Sequence, residues 1–233
     1  MSGNAIGIED YEDNMPLAKI AAESGDIGFY VPSRMAAFRV QTLFSKEPDT
    51  IQWISTFEDG GTFIDVGANV GMYTIWVAMQ RAMRVLAFEP EAQNYALLNR
   101  NILLNNLGSR VAAYCLALGD EERFTMLNVS DTRIGGSFST LHGFVNSAAA
   151  PEPGAHAKET VFRQGCVSAS LDQSWCHRTL SPSSSCSQIP IATRPQIMWY
   201  RKSPVGLADQ KTHFRSVWKL ASGSNIPIDL PNR

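Results

Sequence analysis

The stretch Phe63-Ile64-Asp65-Val66-Gly67-Ala68-Asn69-Val70-Gly71 constrains the fold more than any other part of this 233-residue chain. Thr62 to Val66 predicts a buried parallel strand, and Val70 to Gln80 predicts the helix that follows it. The glycine-spaced turn between them falls at the carboxyl end of the strand. In open α/β sheets ligands bind at that end, because the first N–H groups of the helix face the crevice there. Gly67 and Gly71 let the backbone approach a ligand that a Cβ would push away.

The spacing narrows the ligand. Dinucleotide sites use Gly-x-Gly-x-x-Gly with a pyrophosphate on the helix N-terminus, whereas this turn is Asp-x-Gly-x-Asn-x-Gly. A carboxylate ahead of the first glycine repels a pyrophosphate and suits a ligand with a cationic centre and an amino group. S-adenosylmethionine has both. The plainer reading is a strand-to-helix turn in which Asp65 caps the helix.

Arg84-Val85-Leu86-Ala87-Phe88-Glu89-Pro90 reads as a second buried strand ending in an acid, broken by Pro90 and placed one helix later, as a right-handed βαβ unit requires. Glu89 then sits beside the turn, where a carboxylate can accept hydrogen bonds from two ribose hydroxyls. Glu91 to Asn106 predicts a helix with Tyr95, Leu98, Ile102 and Leu103 on its apolar stripe, ended by Leu107-Gly108. Val111 to Leu118 predicts a third strand, closing in Ala117-Leu118-Gly119-Asp120.

The wording Ile-Asp-Val-Gly-Ala-Asn-Val-Gly-Met-Tyr-Thr resembles the first motif of Rossmann-type methyltransferases, and the FkbM family in particular. The resemblance covers about residues 39–173. It implies a class I methyltransferase sheet, S-adenosylmethionine as cofactor, and methyl transfer to the hydroxyl oxygen of a small-molecule or glycan acceptor. Asp65, Gly67, Asn69, Gly71 and Glu89 would then hold the cofactor. Asp120 would line the adenine pocket, its plainer reading being a solvated turn with Glu121 and Glu122. Phe44 to Trp53 resembles the family's lead-in helix, with Glu47 near the amino-acid end of the cofactor or, equally, in an ordinary helix-entry turn.

Arg123 to Val129 alternates like a strand and Val161 to Val167 like its return, with a turn over Ala148 to Lys158. The polar loop from Asn128 to His142 is placed to hold a substrate. Asp131 and His142 are its candidates for taking a proton from an acceptor hydroxyl, although each reads more simply as a loop residue.

Beyond Gln173 the resemblance stops. The family's next strand, Lys-Ile-Asp-x-x-Gly-x-Glu, borders the methyl-transfer centre, and this chain has Trp175-Cys176-His177-Arg178 instead. Residues 1–173 carry 12 Lys and Arg against 20 Asp and Glu, a net −8, while residues 174–233 carry 8 against 2, a net +6. The shift reads as a frameshifted or artificially joined C-terminus, since codons read one frame over can encode the missing Asp-x-Asp-x-x-Glu spacing. Reading the coding DNA in all three frames tests it. The expected organisation is a helical lead-in over 1–61, a Rossmann-like core over 62–173, and a disordered or frameshifted tail over 174–233. The sheet is expected to be incomplete in its C-terminal half, with the strand at 62–66 as an edge. A defective cofactor-binding remnant is the alternative to an active enzyme, and a nicotinamide oxidoreductase is disfavoured by the turn spacing.

Composition excludes several other classes. There is no transmembrane run and no basic-then-apolar leader, so a cytoplasmic protein without a membrane partner is expected. The scattered basic residues of the tail form no nucleic-acid module. The four cysteines include no Cys-x-x-Cys pair, so no metal site is expected.

Overall fold

The computed structural model describes residues 14–57, 59–81, 83–119, 121–137, 139–141 and 159–170, and the backbone of residues 199–201. Its centre is a parallel sheet in the order β10-β3-β4-β5, built from Trp199–Arg201, Thr62–Val66, Arg84–Phe88 and Val111–Tyr114. The expected edge is therefore corrected: β10 pairs in parallel with β3, Trp199 opposite Ile64 and Arg201 opposite Val66. Three residues suffice because a parallel ladder is made of backbone hydrogen bonds, and so short a strand leaves no readable side-chain pattern.

The segment ahead of the core is not purely helical. Leu17–Ile20 (β1) and Ile27–Tyr30 (β2) form an antiparallel hairpin ahead of α1 (Arg34–Gln41) and α2 (Pro48–Ser55). Ser33 caps α1 through its hydroxyl, which accepts from the Ala36 amide, and Pro48 occupies the first turn of α2. Ile27 and Phe29 are fully buried against the main core.

Helices α3 (Met72–Gln80) and α4 (Ala92–Leu104) follow β3 and β4. Phe63, Val85 and Ala87 point into one cluster with Ile75, Val77, Leu97 and Leu98, and Ile64, Leu86 and Phe88 point to the opposite face. Strands buried on both faces explain why β3 and β4 read as continuous apolar runs. The stripe on α4 differs from expectation: Asn94, Leu97, Leu98, Asn101 and Ile102 are buried, while Leu103 is 79% exposed. The helix also ends earlier. Asn106, at φ 54, takes the left-handed position, with its amide on the Leu103 carbonyl and the Leu107 amide on that of Ile102. That is a Schellman ending with Leu107 as its buried apolar contact, and Gly108 has no part in it.

The expected third strand is two. β5 stops at Tyr114, and after Cys115-Leu116 the chain enters a second sheet as β6 (Ala117–Leu118). That sheet has the order β6-β9-β7-β8, from β6, Phe162–Ala169, Arg123–Val129 and Thr140–Leu141. β7 and β9 pair antiparallel along seven residues, β7 over the alternating segment and the return strand running on to Ala169, two residues beyond the expected end. The turn expected over Ala148 to Lys158 lies outside the described residues. Among the described residues no helix is long and apolar enough to cross a membrane.

Candidate cofactor site

The turn after β3 is fastened to the end of β4. The Gly67 and Ala68 amides both donate to the Phe88 carbonyl, at 2.8 and 3.0 Å, which draws the two strand ends together. Gly67 has φ 75 and a Cβ placed on it meets no atom within 4 Å, so this backbone faces open space. Gly71, at φ 91, serves a different purpose. A Cβ there would lie 2.6 Å from Leu98 Cδ1, so α3 approaches α4 only because the side chain is missing.

Glu89 emerges from β4 beneath this turn, 5% exposed. Its Oε2 accepts from the Asn69 amide at 2.7 Å and its Oε1 from the Glu91 amide at 2.9 Å. Each oxygen of an ionised carboxylate has a further lone pair, so two donors more can be accommodated. Burial pushes the Glu89 carboxyl up to about 7. The Glu91 and Asn69 amides oppose that shift, and the charges of Glu91 and Asp65 add to it. Glu91 itself caps α4, accepting from the Gln93 amide at 3.1 Å and the Asn94 amide at 2.8 Å.

Asp65 is 1% exposed, and its Oδ2 accepts from the Thr74 hydroxyl at 2.6 Å. It thus ties the last part of β3 to the first turns of α3. Asn69 holds φ 55 and donates through Nδ2 to the Gly136 carbonyl at 2.6 Å. Glu47 precedes α2 and accepts through Oε2 from the Tyr73 hydroxyl at 3.0 Å; burial and then the Glu47 charge push the Tyr73 phenol well above its ordinary range.

The loop expected to hold a substrate is docked on this machinery. Asn94 accepts from the Gly135 amide at 2.7 Å and donates to the Gly136 carbonyl at 3.3 Å, while Arg39 Nε donates to the Gly135 carbonyl and the Ser33 hydroxyl to that of Ile134. Asp131 forms a bidentate pair with Arg133, its Oδ2 at 2.7 Å from Nη2 and its Oδ1 at 2.9 Å from Nε. A carboxylate so engaged fixes the loop. His142 and Asp120, the other candidates, lie outside the described residues.

Arg39, Thr74, Asn94 and Asn101 were not singled out in the sequence. Asn101 is fully buried; it accepts from the Tyr30 amide and donates to the Val70 carbonyl, both at 2.9 Å. Asn94 and Asn101 lie seven residues apart on the stripe that carries Leu97 and Leu98. A polar residue at apolar spacing was the available signal.

The parallel sheet thus carries a buried acid at the end of each of its first two βα strands, Asp65 and Glu89. Residues 40–152, which include the turn and Glu89, match the family model of the TRM5/TYW2 methyltransferase domain. The chain is 33% identical over 70 residues to Methyltransferase 1 of Beauveria bassiana (strain ARSEF 2860), an overlap of 30% of this chain and 28% of that protein. It thus spans little more than a quarter of that curated relative's length. Among solved structures it is similar to P. horikoshii TYW2 in complex with MeSAdo, at 17% identity and TM-score 0.30, covering 45% of this chain and 37% of that one. A putative S-adenosyl-L-methionine-dependent methyltransferase from Methanococcus maripaludis gives 26% identity and TM-score 0.29, covering 36% and 38%. The family model and the curated relative are both methyltransferases by name.

Proposed function

We propose that this chain is an S-adenosylmethionine-dependent methyltransferase whose cofactor is held by the β3 and β4 ends within residues 62–173. The observation that carries this reading is Glu89, a buried carboxylate fixed by the Asn69 and Glu91 amides at 2.7 and 2.9 Å beside the open backbone at Gly67. Two amides orient the carboxylate and leave it capacity for the paired hydroxyls of a ribose. The Gly67 backbone is bare and open, with no atom within 4 Å of where a Cβ would stand. The residues present therefore fit the cofactor, which supplies an electrophilic methyl group on a sulfonium centre. The chain's own contribution is alignment: Glu89 fixes the ribose, and Asp65 braces β3 against α3 so that the turn keeps its shape.

We place the acceptor among hydroxyl compounds, small molecules or glycans, following the FkbM-like wording of residues 64–74. The matched TRM5/TYW2 model leaves the acceptor class open, so the acceptor rests on that wording alone. Calorimetric titration tests the cofactor. S-adenosylhomocysteine should bind, binding should be lost in Asp65→Ala and Gly67→Val, and NADH should not bind. Tight NADH binding with none of S-adenosylhomocysteine would reverse the assignment to an oxidoreductase. Transfer of labelled methyl to a hydroxyl acceptor separates an active enzyme from a cofactor-binding remnant.

A further inference from the structure

Cys115 and Cys166 are the free cysteines among the described residues, the first exposed and the second half-buried. Cys115 leaves β5 of the central sheet, and Cys166 lies within β9 of the second. The register of that second sheet sets them against each other. β6 and β9 run parallel, with Ala117 opposite Ser168 and Leu118 opposite Ala169. Counting two residues back along each segment from the Ala117 and Ser168 pair arrives at Cys115 and Cys166. Neighbouring strands run about 4.8 Å apart, within the roughly 4.4–6.8 Å that disulfide-bonded Cα atoms span.

The side-chain contacts agree with the register. Cys166 Sγ accepts a hydrogen bond from the Ala117 amide, so this thiol reaches toward the strand that Cys115 enters. Cys115 Sγ lies 4.0 Å from the Pro90 carbonyl, which also accepts from Gln164 Nε2 at 2.7 Å. Gln164 stands two residues from Cys166, on the same face of β9, and its Oε1 accepts from the Ala92 amide at 3.0 Å. Cys115 and β9 thus meet at the turn between Glu89 and α4.

Burial pushes the Cys115 thiol up first, then the neighbouring Cys166, with Glu89 and Glu91 adding to it. Burial also raises Cys166, the Ala117 amide opposing and Glu89 adding. Both sulfurs are therefore thiols at neutral pH, and ionising one disfavours ionising the other. A soft metal ion would need more ligands, and among the described residues no group of three or more His, Cys, Asp and Glu could hold one. A covalent bridge needs only the two sulfurs.

We propose that Cys115 and Cys166 form a reversible disulfide, by exchange with a low-molecular-weight disulfide, that staples the central sheet to the second sheet beside Glu89. Cys115, the more exposed, attacks first: its sulfur bonds to one half of the small disulfide, and the other half leaves as a thiolate that takes up the proton. Cys166 then attacks the Cys115 sulfur of this mixed disulfide, and the second half leaves as a thiol. Two protein thiols are oxidised and one small disulfide is reduced to two thiols. The bridge fastens the chain where it leaves β5, at Tyr114, whose carbonyl accepts from the Glu89 amide at 3.1 Å. None of this depends on which ligand Glu89 holds.

The experiment treats the full-length protein with glutathione disulfide and maps the product by mass spectrometry without reduction. The wild type should yield the peptides of Cys115 and Cys166 joined to each other, and dithiothreitol should separate them. Cys166→Ser should stop at a glutathione adduct on Cys115, the first half of the same sequence. The bridged protein should melt about 5 °C or more above the reduced one, as closure of a long loop in its native geometry does, with no such rise in Cys166→Ser. Glutathione adducts on both thiols of the wild type, or a bridge from either one to Cys176 or Cys186, overturn the proposal. A bridge between Cys115 and Cys166 that lowers the melting temperature also overturns it, because the two sheets would then have to be pulled apart to form it. Mapping and melting of the wild type decide the matter even if the serine variant does not fold.

Discussion

The backbone amide of Asn69 donates to Oε2 of Glu89 at 2.7 Å, across 20 residues of sequence, and so joins the glycine turn after β3 to the acid after β4. This contact makes the two strand ends one site and sets a pH dependence. Burial holds the Glu89 carboxyl at about 7, above the 4.5 of an ordinary glutamate. Between those values the folded protein keeps a proton that the unfolded chain has released, so stability falls as pH rises through this window and levels off above it. The shift corresponds to roughly 3 kcal/mol at most. Glu89→Gln should flatten the fall, measured as urea midpoints from pH 4.5 to 8.

The ligand should show the opposite trend. Ribose hydroxyls donate to the ionised form, so S-adenosylhomocysteine affinity should rise from pH 6 to pH 8 as the proton leaves. Titrations at pH 6, 7 and 8 would show it, and Glu89→Gln should bind weakly with no such slope. An affinity that is flat with pH in the wild type would remove Glu89 from the ribose.

The two glycines of the turn should separate packing from binding. Gly71→Ala adds a Cβ 2.6 Å from Leu98 Cδ1 at a φ of 91, and should cost roughly 2–4 kcal/mol of stability. Gly67→Ala meets no neighbouring atom and bears only its φ of 75, about 1 kcal/mol, so its main effect should be on ligand affinity. Thermal melts with and without S-adenosylhomocysteine distinguish them. Gly71→Ala should lower the melting temperature in both conditions, and Gly67→Ala should chiefly lose the stabilisation that ligand provides. Equal behaviour of the two variants would contradict the division.

What the sequence revealed and what it hid follow one physical line. β3 was legible to the residue, and β4 but for its end at Phe88 ahead of the acid, because both faces of a central parallel strand are buried, and Gly67 and Gly71 stood out by their spacing after the strand. Leu103 was misassigned to the core of α4 because Asn94 and Asn101 hold the positions that an apolar stripe would fill. They satisfy backbone groups of Gly135, Gly136, Tyr30 and Val70, partners 31 to 71 residues away that no local pattern encodes. Arg39 was hidden for the same reason, its partner Gly135 lying 96 residues on. β10 was hidden by its brevity.

Asn94 gives a direct measure of that buried network. Asn94→Leu keeps the branched shape but removes the acceptor of the Gly135 amide and one of the two donors to the Gly136 carbonyl, Asn69 Nδ2 remaining, so that a buried amide is left without its acceptor. The expected cost is roughly 1–3 kcal/mol. Amide exchange should locate the loss: protection at Gly135 should drop by more than the global destabilisation accounts for. Exchange that tracks global unfolding alone would mean that other contacts hold the loop.

Thr74 and Asp65 provide the last test, because their 2.6 Å contact is a hydrogen bond to a carboxylate in a site where both residues are at most 1% exposed. Hydrogen bonds to charged groups contribute more than neutral ones, about 1.5–3 kcal/mol. Thr74→Val is nearly isosteric, so its cost reports the lost donor rather than a cavity. Asp65→Asn keeps the shape while removing the charge that strengthens the bond. If the contact braces β3 against α3, the double variant should be less destabilised than the sum of the singles, with a coupling of at least about 1 kcal/mol in denaturant unfolding. A coupling near zero would show that Asp65 supports the turn through its other surroundings, and Thr74→Val should then leave S-adenosylhomocysteine affinity unchanged.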